Sequence, residues 1–263
     1  MKKNGKSAES KSHWTDTCEA ELKVWVASVM IWCIFKNLSF EAFFKEKIDT
    51  SLVYKWFPSG WRRWFEIKSN FKVSDPLHDE ENKSDKMWKV RELWDDFIGR
   101  CKANYWPSME IGLDEAIKKF KGRCSFKQYI KNKPVRWGIK IFCVCCSATG
   151  YLWNAAFYLG RTEESTSKQQ ETSATMKAVL KILEPLSFKN HIVHMDNYYT
   201  SIPLLNTLIK MGIRACGTIR TNRKGLCSEV AIKKSEESAF KKNPGMIRWA
   251  PYGALCFIAW CAK

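Results

Sequence analysis

Ile111-Gly-Leu-Asp-Glu-Ala116 and Ile192-Val-His-Met-Asp-Asn-Tyr-Tyr199 each read as a short apolar strand that runs out into a polar turn at an aspartate, Asp114 in the first and Asp196 in the second. Acids at adjacent strand ends can share divalent cations, because hard metal ions take oxygen ligands, and paired Mg²⁺ sites recur in enzymes that cut nucleic acid. Aspartate is also a common turn and helix-capping residue, since its short carboxylate accepts hydrogen bonds from nearby backbone N–H groups. Both readings stay open at this point. A third acid, which a two-metal site normally needs, is not evident.

Around these two stretches the pattern is that of a sheet with helices. After Pro107 come short apolar runs rich in β-branched and aromatic residues at Met109–Leu113, Trp137–Cys146 and Tyr151–Tyr158. Ser147-Ala-Thr-Gly150 between the last two predicts a hairpin turn. Ser173–Leu183 then reads as a helix stopped by Pro185, His191–Met195 as a strand, Ile202–Met211 as a helix closed by Gly212, and Arg214–Arg220 as another strand. The order β-β-β-α-β-α-β is the layout of an RNase H-like core, an α/β fold around a mixed sheet. Functional groups in such sheets gather at strand carboxyl ends, which is where Asp114 and Asp196 are expected.

The first hundred residues read differently. Residues 1–13 are Lys-, Ser- and Asn-rich with little to bury and predict a disordered leader. Thr15-Asp-Thr ahead of Glu19 and Glu21 starts a helix whose Leu22, Val26, Val29, Met30 and Cys33 recur at helical spacing, predicting a core helix. Further helices are predicted at Trp61–Phe71 and at Lys86–Tyr105, the latter with Trp88, Leu93, Trp94, Phe97 and Ile98 on one face and a charged loop before it, from Ser74 to Ser84. The expected organisation is therefore a helical domain over 14–106, the core over 107–226, and a further segment over 227–263.

Forty-four Lys and Arg against 27 Asp and Glu leave a formal charge of +17, which favours a polyanionic partner through counterion release. Between Lys118 and Lys140 stand nine basic residues and no acidic one. Lys118, Lys119, Lys121, Arg123, Lys127, Lys133, Arg136 and Lys140 are candidate phosphate contacts there, interleaved with Phe120, Phe126, Tyr129 and Trp137. Arg220, Arg223 and Lys224, near Lys210 and Arg214, form a second basic group.

The longest early apolar stretch, Leu22–Phe35, is too short and mixed to span a bilayer of about 30 Å, so no membrane partner is expected. Eleven cysteines with no secretory leader point to a reducing compartment and free thiols. Cys143, Cys145 and Cys146 lie in one strand, where alternation puts the first two on one face and the third on the other, so no zinc is expected. His194 shares a face with Asp196, but it and His191 read more simply as satisfied histidines. No phosphate-cradling Gly-rich loop and no serine or cysteine triad is present.

At Leu113-Asp-Glu-Ala-Ile-Lys-Lys-Phe-Lys-Gly-Arg123, Phe126-Lys-Gln-Tyr-Ile-Lys-Asn-Lys-Pro-Val-Arg-Trp-Gly-Ile-Lys140, Gly150-Tyr-Leu-Trp153, Asp196-Asn-Tyr-Tyr-Thr-Ser-Ile-Pro-Leu-Leu205 and Gly217-Thr-Ile-Arg-Thr-Asn-Arg-Lys-Gly225, the chain resembles the piggyBac family of DNA transposases and the host proteins derived from them. Asn70-Phe-Lys-Val-Ser-Asp-Pro76 adds a weaker match in a region that would serve dimerisation and DNA binding. The resemblance implies a nuclear protein that acts on double-stranded DNA, with a homodimer or full-length relatives as its protein partners. It assigns Asp114 and Asp196 as two of three acids holding two divalent cations for cutting and joining DNA at TTAA sites.

In the family the third acid follows an inserted domain that begins soon after the Gly-Thr-Ile-Arg strand, and Lys263 falls inside that insertion. Two acids alone hold Mg²⁺ weakly, and Glu115, one residue on from Asp114, should point to the opposite face. The expectation is a DNA-binding, catalytically inactive member with an incomplete core. The alternative is an active enzyme whose third acid comes from another chain or a longer isoform. Two structural expectations follow, namely apolar sheet surface left open to water and a partner strand needed by the apolar Ala254–Ala262 segment.

Overall fold

The computed structural model describes residues 14–34, 60–74, 84–131, 136–160, 174–232 and 234–261. The leader at 1–13, the loop residues 75–83 and Lys133 lie outside the described residues. The chain divides into two compact units, Met1–Pro76 and Leu77–Lys263.

In the first unit α1 (Glu19–Ile34) packs with α2 (Gly60–Asn70). Apolar side chains surround α1, so its periodicity does not single out one face. The buried positions are Trp25 and Ser28 rather than the expected stripe, and Met30 is 63% exposed. The reason is Trp64 of α2. Its Nε1 donates to Ser28 Oγ at 2.8 Å, Ser28 Oγ donates to Trp25 O at 2.6 Å, and Trp25 Nε1 donates to Trp64 O at 3.2 Å. Pairing each of these atoms avoids the roughly 1–3 kcal/mol cost of a buried, unsatisfied polar group. Beside them Arg63 makes two 2.7 Å bonds to Glu21, and these hold the Glu21 carboxyl below its ordinary range.

In the second unit α3 (Arg91–Asn104) begins later than the apolar stripe suggests. Asp85 accepts the Met87 N–H at 2.9 Å and pairs with Arg91 Nε at 2.7 Å, so residues 85–90 turn instead of starting the helix. Local aspartate bonds compete with helix in this way.

Next come β1 (Glu110–Lys119), β2 (Gln128–Tyr129), β3 (Trp137–Cys146), β4 (Leu152–Phe157), α4 (Ala174–Leu183) with a 3-10 turn at Glu184–Leu186, β5 (Ile192–Met195), α5 (Ile202–Lys210) and β6 (Arg214–Gly217). The expected order is present, with the two-residue β2 added and Pro185 starting the short 3-10 turn. The sheet order is β2-β3-β1-β5-β6, with β4 also on β3. β1 and β3 pair antiparallel, whereas β1, β5 and β6 run parallel, so the sheet is mixed.

β3 is buried on both faces, which explains its apolar run from Ile141 to Cys146. Phe142 and Val144 face one core with Ile111, Leu113, Val193, Met195 and the inner sides of α4 and α5. Ile141 and Ala155 face α3, where Ile98 packs and Trp94 sits 4.4 Å from Phe157.

One boundary corrects the sequence reading in a way that bears on function. β1 does not stop at Leu113 but pairs with β3 as far as Lys119, so Asp114 lies inside a strand. The polar run after Leu113 resembles a strand end, but the long edge of β3 supplies hydrogen bonds along its whole length. Gly138 makes the closest approach possible, since a Cβ there would lie 2.5 Å from Lys118 O.

Beyond the sheet, α6 (Lys234–Lys241) precedes a hairpin of β7 (Ile247–Tyr252) and β8 (Leu255–Trp260). Leu255–Trp260 of the apolar Ala254–Ala262 segment thus has its partner strand in β7, while Ala262 lies outside the described residues. Ala250 and Phe257 pack on Ile202 and Val230. The opposite side sets Ile247 across from Trp260 and Trp249 across from Ile258, all at least 55% exposed. Replacing Trp249 and Trp260 by lysine is expected to lower light scattering and dye binding by apolar surface. Folding stability should move by no more than about 0.5 kcal/mol, because both side chains already face water. Unchanged scattering would show that this face does not drive association.

Candidate metal centre and nucleic-acid interface

The parallel register of β1 and β5 ends on the pair Leu113 and Met195, both directed into the α4–α5 core. The residue after each is an aspartate, Asp114 within β1 and Asp196 just past the end of β5. Asp114 therefore leaves β1 toward the other face of the sheet, and Asp196 follows the neighbouring strand, whose axis lies roughly 4.8 Å away; both aspartates are exposed. Two distant stretches of sequence meet here.

The sheet does not bring apolar surface to this open region. Glu110, Asp114, His194 and Cys216 are all exposed there, with Gly112 between them, so the expected apolar patch is replaced by a polar one. It can be polar because α3 covers the apolar part of the same face, at Ile141 and Ala155.

Asp196 is also a turn former. Its Oδ1 accepts the backbone N–H groups of Tyr198 at 2.9 Å and Tyr199 at 3.4 Å, and its carbonyl accepts Thr200 Oγ1 at 2.8 Å. Among the described residues Asp114 Oδ1 accepts just the Glu115 N–H, at 2.8 Å. Neither Oδ2 takes a hydrogen bond from a described residue, so each aspartate offers an oxygen to a hard cation. The capping and metal readings are thus compatible. Among the described residues no group of three or more His, Cys, Asp and Glu side chains forms.

Glu115 points to the opposite face, where its Oε2 accepts the Tyr199 hydroxyl at 3.0 Å. Burial and the Glu115 charge together raise the Tyr199 hydroxyl well above the ordinary tyrosine range. Cys143 stands across from Asp114 on β3, and burial pushes its thiol up to about 11. Cys146 lies on the other face and is fully buried, so the strand separates the three thiols as its alternation predicts. His191 is buried with Nδ1 3.0 Å from Ser108 O, while His194 Nε2 lies 3.7 Å from Glu110.

The basic residues fall into three settings. Lys118, Lys119, Lys121, Arg123, Arg136, Arg220 and Lys224 are exposed. Lys127 is half-buried, its Nζ donating to Gly122 O at 2.9 Å and lying 5.5 Å from the Trp137 ring. Arg220 and half-buried Arg223 brace the Asp196 turn, donating to Asn197 Oδ1 at 3.0 Å and to Tyr198 O at 2.9 Å. Lys140, by contrast, is buried, with Nζ 3.9 Å from the centre of the Tyr198 ring. Tyr129 and Trp137 stack 4.9 Å apart and are more than half exposed, whereas Phe126 is core.

Sequence reasoning missed the linkage of Lys140, Tyr198, Tyr199 and Glu115 beneath the site. The available signal was position, since two tyrosines follow Asp196-Asn197 and an acid follows Asp114.

A family model described as Transposase IS4 matches residues 2–263. Human PiggyBac transposable element-derived protein 3 is 32% identical over 185 residues, which is 68% of this chain and 30% of that protein. Human PiggyBac transposable element-derived protein 2 is 27% identical over 173 residues, covering 62% of this chain and 28% of that protein. The chain therefore spans less than a third of the length of these curated relatives. A solved piggyBac transposase synaptic complex with hairpin DNA superposes with a TM-score of 0.74 at 24% identity, covering 95% of this chain and 50% of that one, a likeness of fold. With the family match running across residues 2–263 and curated relatives of piggyBac descent, the chain belongs to the piggyBac transposase-derived family.

Proposed function

We propose that this chain is a nuclear, DNA-binding protein of transposase descent in which Asp114 and Asp196 jointly hold a divalent cation. The carrying observation is their placement one step beyond a paired register on adjacent parallel strands, with an oxygen on each that no described residue hydrogen-bonds. Exposed basic residues on β1 and on the 220–224 loop suit phosphate contacts near these acids. Lys118 lies four residues beyond Asp114, roughly 13 Å along the strand. A bound Mg²⁺ would supply charge neutralisation at a phosphodiester oxygen. Two carboxylates hold this cation weakly unless phosphate completes its shell, so DNA and metal should strengthen each other's binding. Strand cutting by this chain alone is not part of the proposal, because the two-metal reaction calls for more anionic ligands than this pair.

A second reading is an active transposase that completes the acid set from another chain or from a longer form, and the same placement of the two aspartates beyond the paired Leu113 and Met195 supports it equally. Assembly with a second copy or with full-length relatives belongs to either reading. Mn²⁺ titration followed by NMR line broadening tests the metal pair. Signals of residues 112–116 and 194–199 should broaden in the wild type and stay sharp in Asp196→Asn. Uniform, weak broadening across the surface would remove the metal pair. Mg²⁺-dependent nicking of duplex DNA that disappears in Asp196→Asn would favour the second reading over the first.

A further inference from the structure

The turn that carries Asp196 is held from below by two side-chain contacts that do not involve the aspartate. Tyr199, next but two after Asp196, sends its hydroxyl to Glu115 Oε2 at 3.0 Å, and Glu115 is the strand neighbour of Asp114. Tyr198 carries the Lys140 cation over its ring at 3.9 Å, well inside the roughly 6 Å limit for cation–π attraction. Lys140 also lies 5.1 Å from the Phe142 ring, and Phe142 meets the Tyr199 ring edge-on at 5.9 Å.

Glu115 sits on β1 and Lys140 on β3, so each tyrosine is tied to a different strand. Glu115 and Lys140 lie on the Phe142 side of the sheet, whereas Asp114 faces the other way. A buried lysine is costly to desolvate, and rings here take the place of water around it.

We propose that Lys140, Tyr198, Tyr199 and Glu115 form a brace under the sheet that sets the Asp196 turn in register with Asp114 and thereby sets the pair's affinity for a divalent cation. They act through the turn and β1 as positioning residues rather than as metal ligands. The inference rests on the metal reading above for its functional half, while its structural half stands separately. Supporting groups of this kind, which orient metal ligands, change affinity by about 10- to 100-fold when removed. The brace contacts reach the turn rather than the carboxylate itself, so the lower figure is expected.

Two readouts separate the two halves. Amide hydrogen exchange at Tyr198, Tyr199 and Thr200, whose N–H groups all bond back to Asp196, should accelerate about tenfold in Tyr199→Phe and Lys140→Met. It should remain near wild type in Lys140→Arg, which keeps a cation over the ring. Mn²⁺ affinity, read by line broadening, should fall about tenfold in the first two variants and recover in Lys140→Arg. Thermal melts confirm that each variant is folded.

Wild-type exchange in both Tyr199→Phe and Lys140→Met overturns the brace outright. Faster exchange together with unchanged Mn²⁺ affinity overturns its link to the metal. Faster exchange in a protein whose wild type shows no localised Mn²⁺ broadening supports the brace and instead removes the metal reading.

Discussion

Raising salt from about 50 to about 200 mM should weaken binding of this protein to duplex DNA by roughly 10³- to 10⁴-fold. The figure follows from seven of the exposed basic residues, Lys118, Lys119, Lys121, Arg123, Arg136, Arg220 and Lys224. If each neutralises one phosphate, the slope of log affinity against log salt is about −0.9 per contact, or near −6 in all. Lys140 is left out because its cation faces rings rather than solvent. The measurement is a fluorescence-anisotropy titration of a labelled duplex at four salt concentrations. Lys118→Glu and Lys121→Glu should each flatten the slope by about one and lower affinity alike on unrelated sequences. A slope shallower than about −2 would mean that the positive charge of this surface is not organised for a polyanion.

Replacing Phe142 by alanine should cost the sheet unit about 3–5 kcal/mol, the usual range for deleting a fully buried aromatic ring. Phe142, on β3, has no exposed surface and meets Tyr158 at 5.8 Å and Tyr199 at 5.9 Å. The ring also fills space beside Lys140, so its loss would let water reach a buried cation. Against a typical domain stability of about 5–15 kcal/mol, the variant would keep only a small margin. Urea unfolding should show a lower midpoint with an unchanged slope, and Phe142→Leu should lose less than about 1.5 kcal/mol. A loss below about 1 kcal/mol for alanine would show that the site collapses freely and that Phe142 is not the keystone of this core.

Much of the sheet was legible because its strands and helices carry strong local patterns. The bounds of Trp137–Cys146 read from the sequence coincide with β3, and Gly212 closes α5 at φ +66° as a glycine at a helix end should. The placement of Asp196 just past a short strand was legible for the same reason. Asp114 was harder. The residues after Leu113 are mostly polar, and only the pairing with β3 reveals that they continue the strand. The first helix shows the same limit from the other direction, since an apolar helix has no marked face until Trp64 arrives to choose one.

Residue order by itself determined the family, the strand-and-helix succession, the strongly basic surface and the two aspartates, because each is written in local pattern or short motifs. Tertiary structure decided which basic residues face water, since Lys118 and Lys140 are equivalent letters in one charged run. Only packing puts the second of them beneath rings. It also decided that Asp114 and Asp196 follow paired positions on neighbouring strands, and that Tyr199 ties the Asp196 turn to β1 while Tyr198 ties it to β3. Parallel pairing joins stretches about eighty residues apart, and no local preference records which residue will lie across from which.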